Sequence, residues 1–325
     1  MKRFFQSEAG AAVLWVVSTV LLAATISPWL YQAGKAFAEI SAIHDGSALT
    51  EWLGSACRRA QFSRYFSRSL AISAVVLLPF LFHRIRGIRA DAGVVEEAAV
   101  RRVSWASAFF QIAVGCIIAG GILWVMGVVL EFSGAYVPES DVPGIGKIVS
   151  RILPAAIGAS LLEEWLFRGL LLGLWLKFSK PLVACLGTSL FFAFVHFLRA
   201  PDGAVIAAPG APLAGFELLG KILLHFTNPQ FFITDFATLF VIGMLLAAAR
   251  VRTGALWFSI GLHAGWILAF KAFNIIYQSV PAHPLRPWGV GDTLRSGLFP
   301  LLALGLTAVI CHWVLKRLET RRALN

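Results

Sequence analysis

Two adjacent acids and an arginine stand inside a stretch of the chain that is otherwise apolar enough to cross a bilayer. They are Glu163, Glu164 and Arg168, and the residues between them are Trp, Leu and Phe. Each charge at the centre of a membrane helix costs about 3 kcal/mol on insertion scales, so ionisable residues there usually mark a functional site. The alternative is a structural cluster in which the charges only neutralise one another.

Helical geometry predicts different roles for the two acids. At about 100° per residue, Arg168 lies about 40° around the helix from Glu164 and about 140° from Glu163. Glu164 and Arg168 can therefore pair on one face. Glu163 needs a partner from another span, and an acid that its own helix does not neutralise suits a general base or acid.

Two histidines in other apolar segments are candidate partners for Glu163. His196 ends a Phe-Ala-Phe-Val-His run, and His263 lies within Gly-Leu-His-Ala-Gly-Trp. Taken alone, each is more typical of a residue that hydrogen-bonds between helices. Together with Glu163 they offer three proton-handling side chains. A carboxylate and an imidazole can deprotonate a water molecule, and a second imidazole can stabilise an oxyanion or help to hold a metal.

The composition places these residues in a membrane. The chain is 58% hydrophobic and 14% charged, with a mean hydropathy of +0.77, whereas soluble domains are about 25% charged. We therefore predict an all-α, polytopic membrane helix bundle with about eight transmembrane helices around a buried polar site. The apolar windows lie near residues 12–31, 69–83, 104–131, 149–176, 181–198, 232–249, 254–275 and 296–315.

The net charge of +11 indicates membrane topology and not nucleic-acid binding, because the basic residues cluster at the ends of apolar spans. The excess of Lys and Arg predicts that both termini are cytoplasmic, in the inner membrane if the source is bacterial. Lys35 and Arg58 in the first external loop run against this pattern. The first apolar run is longer than a signal-peptide core, which favours a membrane anchor.

The motifs resemble, in order and spacing, those of the CAAX protease and bacteriocin-processing family of intramembrane endopeptidases. The likeness rests on Glu163-Glu164-x-x-x-Arg168, on Phe192-x-x-x-His196 and on His263 after a Thr-Gly-Ala-Leu-Trp segment. It divides the chain into an N-terminal transmembrane region (1–147), a catalytic helix core (148–275) and a C-terminal transmembrane helix with a basic tail (276–325).

The resemblance implies proteolysis inside a water-filled chamber that opens toward the membrane. It assigns Glu163 and His196 to the activation of water, His263 to the oxyanion, and Glu164 with Arg168 to stabilising the site. The expected substrate is a peptide bond in a membrane-associated or lipid-anchored protein. No cofactor is certain; a zinc ion held by Glu163, His196 and His263 stays open, as does the oligomeric state.

One position departs from the family pattern. Ile267 stands four residues after His263, where the family usually has a polar residue such as asparagine. An isoleucine donates no hydrogen bond, and loss of one oxyanion donor costs about 100- to 1,000-fold in rate. Two alternatives therefore remain beside a protease: a non-catalytic relative that binds or chaperones membrane proteins, and a proton-coupled transporter that uses the acid and the histidines as a relay.

Overall fold

The computed structural model describes residues 8–43, 47–91, 103–177, 179–198 and 204–323. These residues are mainly helical with two short strands, which confirms the predicted all-α, polytopic membrane fold. The predicted orientation depends partly on Lys2, Arg3, Arg101 and Arg102. Those four residues lie outside the described residues, and the orientation stays a prediction.

Seven helices of the described residues are long and apolar enough to cross a membrane. The fifth predicted span is instead a helix of 16 residues, Pro181–His196, and its length of about 24 Å falls short of a hydrocarbon core of about 30 Å. In chain order the elements are α1 (Glu8–Ile43), α2 (Ala48–Arg59), α3 (Phe62–Asp91), α4 (Trp105–Phe132), β1 (Tyr136–Pro138), α5 (Ile145–Glu164), the π-helical turn π1 (Trp165–Leu171), α6 (Leu172–Trp175), α7 (Pro181–His196), α8 (Ala214–His225), α9 (Pro229–Phe231), the π-helical turn π2 (Phe232–Phe236), α10 (Ala237–Thr253), α11 (Trp257–Ile276), β2 (Tyr277–Ser279) and α12 (Leu298–Ala323).

The chain divides into two compact units. The first consists of residues 1–96 and 196–228, and the second of residues 97–195 and 229–325. This division follows contacts within the fold, whereas the three regions predicted from the sequence, with boundaries at 147 and 275, follow the positions of the motifs. Those functional regions stay a prediction.

Helix α1 is the centre of the first unit, where it packs against α2, α3 and α8. The Lys35 ammonium donates to the carbonyl oxygens of Arg58 at 2.7 Å and Ala60 at 3.0 Å. The Tyr65 hydroxyl donates to the carbonyl oxygen of Cys57 at 2.9 Å. Because the last carbonyl groups of a helix have no partners within the helix, these contacts complete the end of α2 and hold it against α1 and α3.

In the second unit, α4 and α11 approach closely because glycines occupy the contact. A β-carbon at Gly261 would overlap the backbone of Ile112, and one at Gly265 would overlap the backbone of Cys116. Small residues permit this approach of membrane helices. Residues two positions apart lie about 200° around a helix, so His263, between the two glycines, faces away from α4.

The turn π1 interrupts the apolar helix Ile145–Trp175 directly after Glu164. Isolated π-turns inside α-helices are rare and frequently occur at functional sites, because the extra residue in the turn changes the direction of the side chains that follow. Arg168 lies within π1. The predicted site therefore spans a change of helical pitch.

The two strands join the ends of α4 and α11. They pair antiparallel with Val137 opposite Gln278, and each strand follows its helix within a few residues. Tyr136 packs edge-on against Phe273 at 5.2 Å between ring centres and donates its hydroxyl to the carbonyl oxygen of Gly291 at 3.2 Å. The strand pair thus ties together the two helices whose glycine contact orients His263.

Candidate active site

Glu164 and Arg168 form a buried ion pair. Arg168 Nη1 lies 2.9 Å from Glu164 Oε1, and the two side chains are 1% and 0% exposed. Arg168 Nη2 donates to the carbonyl oxygen of Gly243 in α10 at 3.2 Å, and its guanidinium lies 4.3 Å from the centre of the Phe192 ring. The pairing predicted from helical geometry is confirmed. Removing either partner would leave the other as a buried charge without its counter-charge. Through the carbonyl oxygen of Gly243, the pair also connects its own helix to α10.

The same Glu164 oxygen also contacts His263. Its Oε1 atom lies 2.9 Å from His263 Nδ1, although the two residues are 99 positions apart. An ionised carboxylate only accepts hydrogen bonds, which assigns a hydrogen to Nδ1. The contact orients the imidazole and fixes the direction of its other nitrogen, Nε2. Sequence reasoning paired Glu164 with Arg168 alone and missed this second partner.

Glu163 lies beside the opposite nitrogen of the same ring. Its Oε2 atom is 3.8 Å from His263 Nε2, and its side chain is 28% exposed, whereas that of Glu164 is 0% exposed. A separation of 3.8 Å is too long for a direct hydrogen bond. Glu163 is therefore the accessible acid of the pair, and its neighbour comes from another span, as predicted.

Phe192, a residue of α7, packs against His263. Its buried ring meets the ring of His263 edge-on, with 6.0 Å between centres. His196 lies one turn further along and is the last residue of α7, where it is half-buried. His196 belongs to the first compact unit, and the other four predicted site residues belong to the second. The structure brings those four residues together. His196 is part of the first unit.

Gly243 is a residue of this site that sequence reasoning missed. Its carbonyl oxygen accepts from Arg168, and a β-carbon at this position would lie 2.9 Å from the β-carbon of Ser189 in α7. Because glycine has no β-carbon, α10 can approach α7 closely at this point. The role of the carbonyl group had no signal in the sequence, because every residue type carries one.

The neighbours of His263 on the next turn of α11 are apolar or packed. Ile267 is half-buried. Trp266 lies in an apolar cluster that also contains Leu262 and Phe273. Asn274, a polar residue further along, is about 16 Å away along the helix axis at the usual rise per residue. Of these positions, His263 itself is the one placed to donate a hydrogen bond beside Glu163.

The metal-binding side chains that the structure describes near Glu163 do not form a three-ligand site. Among the residues that the structure describes, no three His, Cys, Asp or Glu side chains lie together in a way that could hold an ion. This gives no support to the zinc alternative, which needs three ligands from the protein in a catalytic site.

Comparison with protein-family models gives a match over the middle of the chain. Residues 145–269 match the family model described as Type II CAAX prenyl endopeptidase Rce1-like. No curated protein and no solved structure matches the chain. The matched range contains the buried ion pair, the accessible acid and both candidate histidines. Residues 145–269 of the chain are therefore similar to the Rce1-like type II CAAX prenyl endopeptidases.

Proposed function

We propose that this protein is an intramembrane endopeptidase that hydrolyses a peptide bond in a membrane-associated or lipid-anchored protein, using water activated by Glu163 and His196. The observation that carries the proposal is the position of Glu163, the accessible acid, 3.8 Å from a histidine that a buried glutamate orients. The family match supports the reaction class. The helices that carry Glu163 and His263 are long and apolar enough to cross a membrane, which supports a substrate at the bilayer.

The buried ion pair has a positioning role in this proposal. Glu164 accepts from both Arg168 and His263 through one oxygen atom. Since Arg168 neutralises the carboxylate and Gly243 anchors the guanidinium, the imidazole has a fixed orientation before substrate arrives. Preorganised dipoles and donors of this kind cost no rearrangement during the reaction.

Glu163 and His196 act on the water molecule. Their basic groups take a proton from it as its oxygen bonds to the carbonyl carbon of the peptide. The resulting tetrahedral oxyanion is stabilised by His263, which donates from Nε2 when both of its ring nitrogens carry a proton. The captured proton then passes to the amide nitrogen as the C–N bond breaks, which releases a new carboxylate and a new amine.

The test uses membranes from cells that express the full chain, with no substrate assumed. New protein N-termini are mapped by mass spectrometry for the wild type, Glu163→Gln and His196→Ala. Termini that occur with the wild type and disappear with both variants would support the proposal and identify the clients. Glu139→Gln, a matched change outside the apolar helices, should retain every terminus.

Two results would contradict the proposal. One is retention of the wild-type termini in Glu163→Gln or His196→Ala at equal expression, which would remove the proposed base. The other is an absence of wild-type-dependent termini under conditions where the protein is needed by the cell. Thermal unfolding in detergent shows whether each variant remains folded.

A second candidate is a non-catalytic relative that binds or chaperones membrane proteins. Ile267 favours it, because this half-buried side chain offers no hydrogen bond beside His263. Restoring the polar residue with Ile267→Asn separates the two. A gain of about 100-fold in cleavage would show a site lacking an oxyanion donor, whereas unchanged, measurable cleavage would show that His263 suffices.

A further inference from the structure

The segment that follows His196 is packed on a helix that lies outside the family match. Residues 196–228 form one compact unit with the N-terminal residues 1–96, whereas the match covers 145–269. Directly after His196, Phe197 is buried and meets the ring of Phe226 edge-on at 6.4 Å between centres. Phe226 follows the last residue of α8. The chain on the far side of His196 is thus fastened to the end of α8.

Helix α8 packs closely against α1 at Gly215. A β-carbon at Gly215 would overlap the carbonyl oxygen of Ala24 and would lie 2.5 Å from Ser27 Oγ. Ala24 and Ser27 are both buried. Only glycine, which has no β-carbon, permits the two backbones to come this close.

A second contact joins α1 to the residues just before α8. Gln32 Nε2, two turns along α1 from Ala24, donates to the carbonyl oxygen of Gly210 at 2.6 Å. Gly210 precedes α8 and Gly215 lies within its first turn. Gly210 and helix α8 are therefore both attached to α1, Gly210 by a hydrogen bond and α8 by close packing.

We infer that α1 is a positioning element for His196, and that Gly215 is the residue through which it acts. The inference deepens the proposed function, since it rests on His196 being part of the base. His196 is the last residue of α7, so its position depends on the chain that follows as well as on its own helix. Here that chain is held by α1, which the family match does not include.

The helix supplies a matched pair of substitutions. Gly215→Ala adds a β-carbon at the crowded contact, whereas a β-carbon at Gly220, in the same helix, would meet no atom within 4 Å in the described part of the chain. Both changes replace glycine by the same residue inside α8. Any difference between the two variants therefore reports the contact with α1 and not helix propensity.

The experiment measures the reactivity of His196 itself. The full chain in lipid nanodiscs is treated with diethylpyrocarbonate, and the rate of carbethoxylation of each histidine is read by mass spectrometry. Local opening exposes a side chain in proportion to the open population, so we expect Gly215→Ala to raise the rate at His196 by about threefold or more. His263 should keep its wild-type rate, and Gly220→Ala should match the wild type at both histidines.

The possible outcomes separate this inference from the proposed function. An unchanged His196 rate in folded Gly215→Ala overturns the inference. If that variant does not fold, Gln32→Met, which removes only the hydrogen bond to Gly210, should show the same rise, and an unchanged rate there overturns the inference. The labelling result stands whether or not the wild type cleaves a client. Where clients are found, Gly215→Ala should lower kcat without changing KM, and Gly220→Ala should leave both unchanged.

Discussion

Glu164 Oε1 lies 2.9 Å from His263 Nδ1, and the same oxygen atom lies 2.9 Å from Arg168 Nη1. One buried carboxylate oxygen therefore serves both the cation that neutralises it and the histidine that it orients. This arrangement gives the two adjacent acids different surroundings. Glu164 is fully buried, whereas the Glu163 side chain is 28% exposed on the other side of the ring.

The buried ion pair should be important for stability. We expect Glu164→Gln to lower the free energy of unfolding by about 3–5 kcal/mol, because it leaves the buried Arg168 without its counter-charge. Glu217→Gln is the matched control, since Glu217 pairs with Lys221 at the same spacing but is 43% exposed. That change should cost at most about 1 kcal/mol. Thermal unfolding in detergent measures both, and equal midpoints would contradict the role given to Glu164.

His263 should affect the reaction more than the fold. His263→Gln leaves the Glu164–Arg168 pair in place and removes one charge-assisted hydrogen bond, so we expect a stability loss of about 1.5–3 kcal/mol, less than for Glu164→Gln. The turnover number for a mapped client should fall about 100- to 1,000-fold as the oxyanion donor is lost. His312→Gln, a change of an exposed histidine on α12, is the control. Wild-type turnover in His263→Gln would remove His263 from the mechanism.

The glycine contact between α4 and α11 should be required to keep His263 in place. Gly261→Ala would force a β-carbon into the backbone of Ile112, and we expect a cost of about 1–3 kcal/mol from overpacking. Gly121→Ala is the control on α4, because a β-carbon there meets no described atom within 4 Å. Chemical denaturation in mixed micelles compares the two. A Gly261→Ala protein as stable as Gly121→Ala would show that the contact can relax without cost.

Much of the membrane architecture could be predicted from the lengths of the apolar segments. A helix needs about 20 apolar residues to cross the hydrocarbon core. The exception is α7, where the apolar window near 181–198 predicted a span and the structure has a helix of 16 residues. Hydropathy counts apolar residues and does not report whether they face lipid or protein. Six residues of α7, among them Ser189 and Phe192, are buried in the protein.

The site was predictable in its residues and less so in its contacts. Helical spacing identified the pairing of Glu164 with Arg168 because both lie on one element. It placed Glu163 about 140° away from Arg168 and so assigned the two acids separate partners. The structure gives them one shared neighbour, His263, because an imidazole carries nitrogens on two sides of its ring and can face two adjacent side chains. The turn π1 and the carbonyl group of Gly243 depend on tertiary packing that no local pattern encodes.

In the proposed function Glu163 activates water for peptide hydrolysis, and oxygen-18 water tests this role. Membranes with the wild-type protein are incubated in this water, and the new C-termini of cleaved clients are analysed by mass spectrometry. Hydrolysis predicts one oxygen-18 atom in each new carboxylate with the wild type and with Glu139→Gln, and no labelled termini with folded Glu163→Gln. Labelled termini at the wild-type rate in Glu163→Gln would contradict the account.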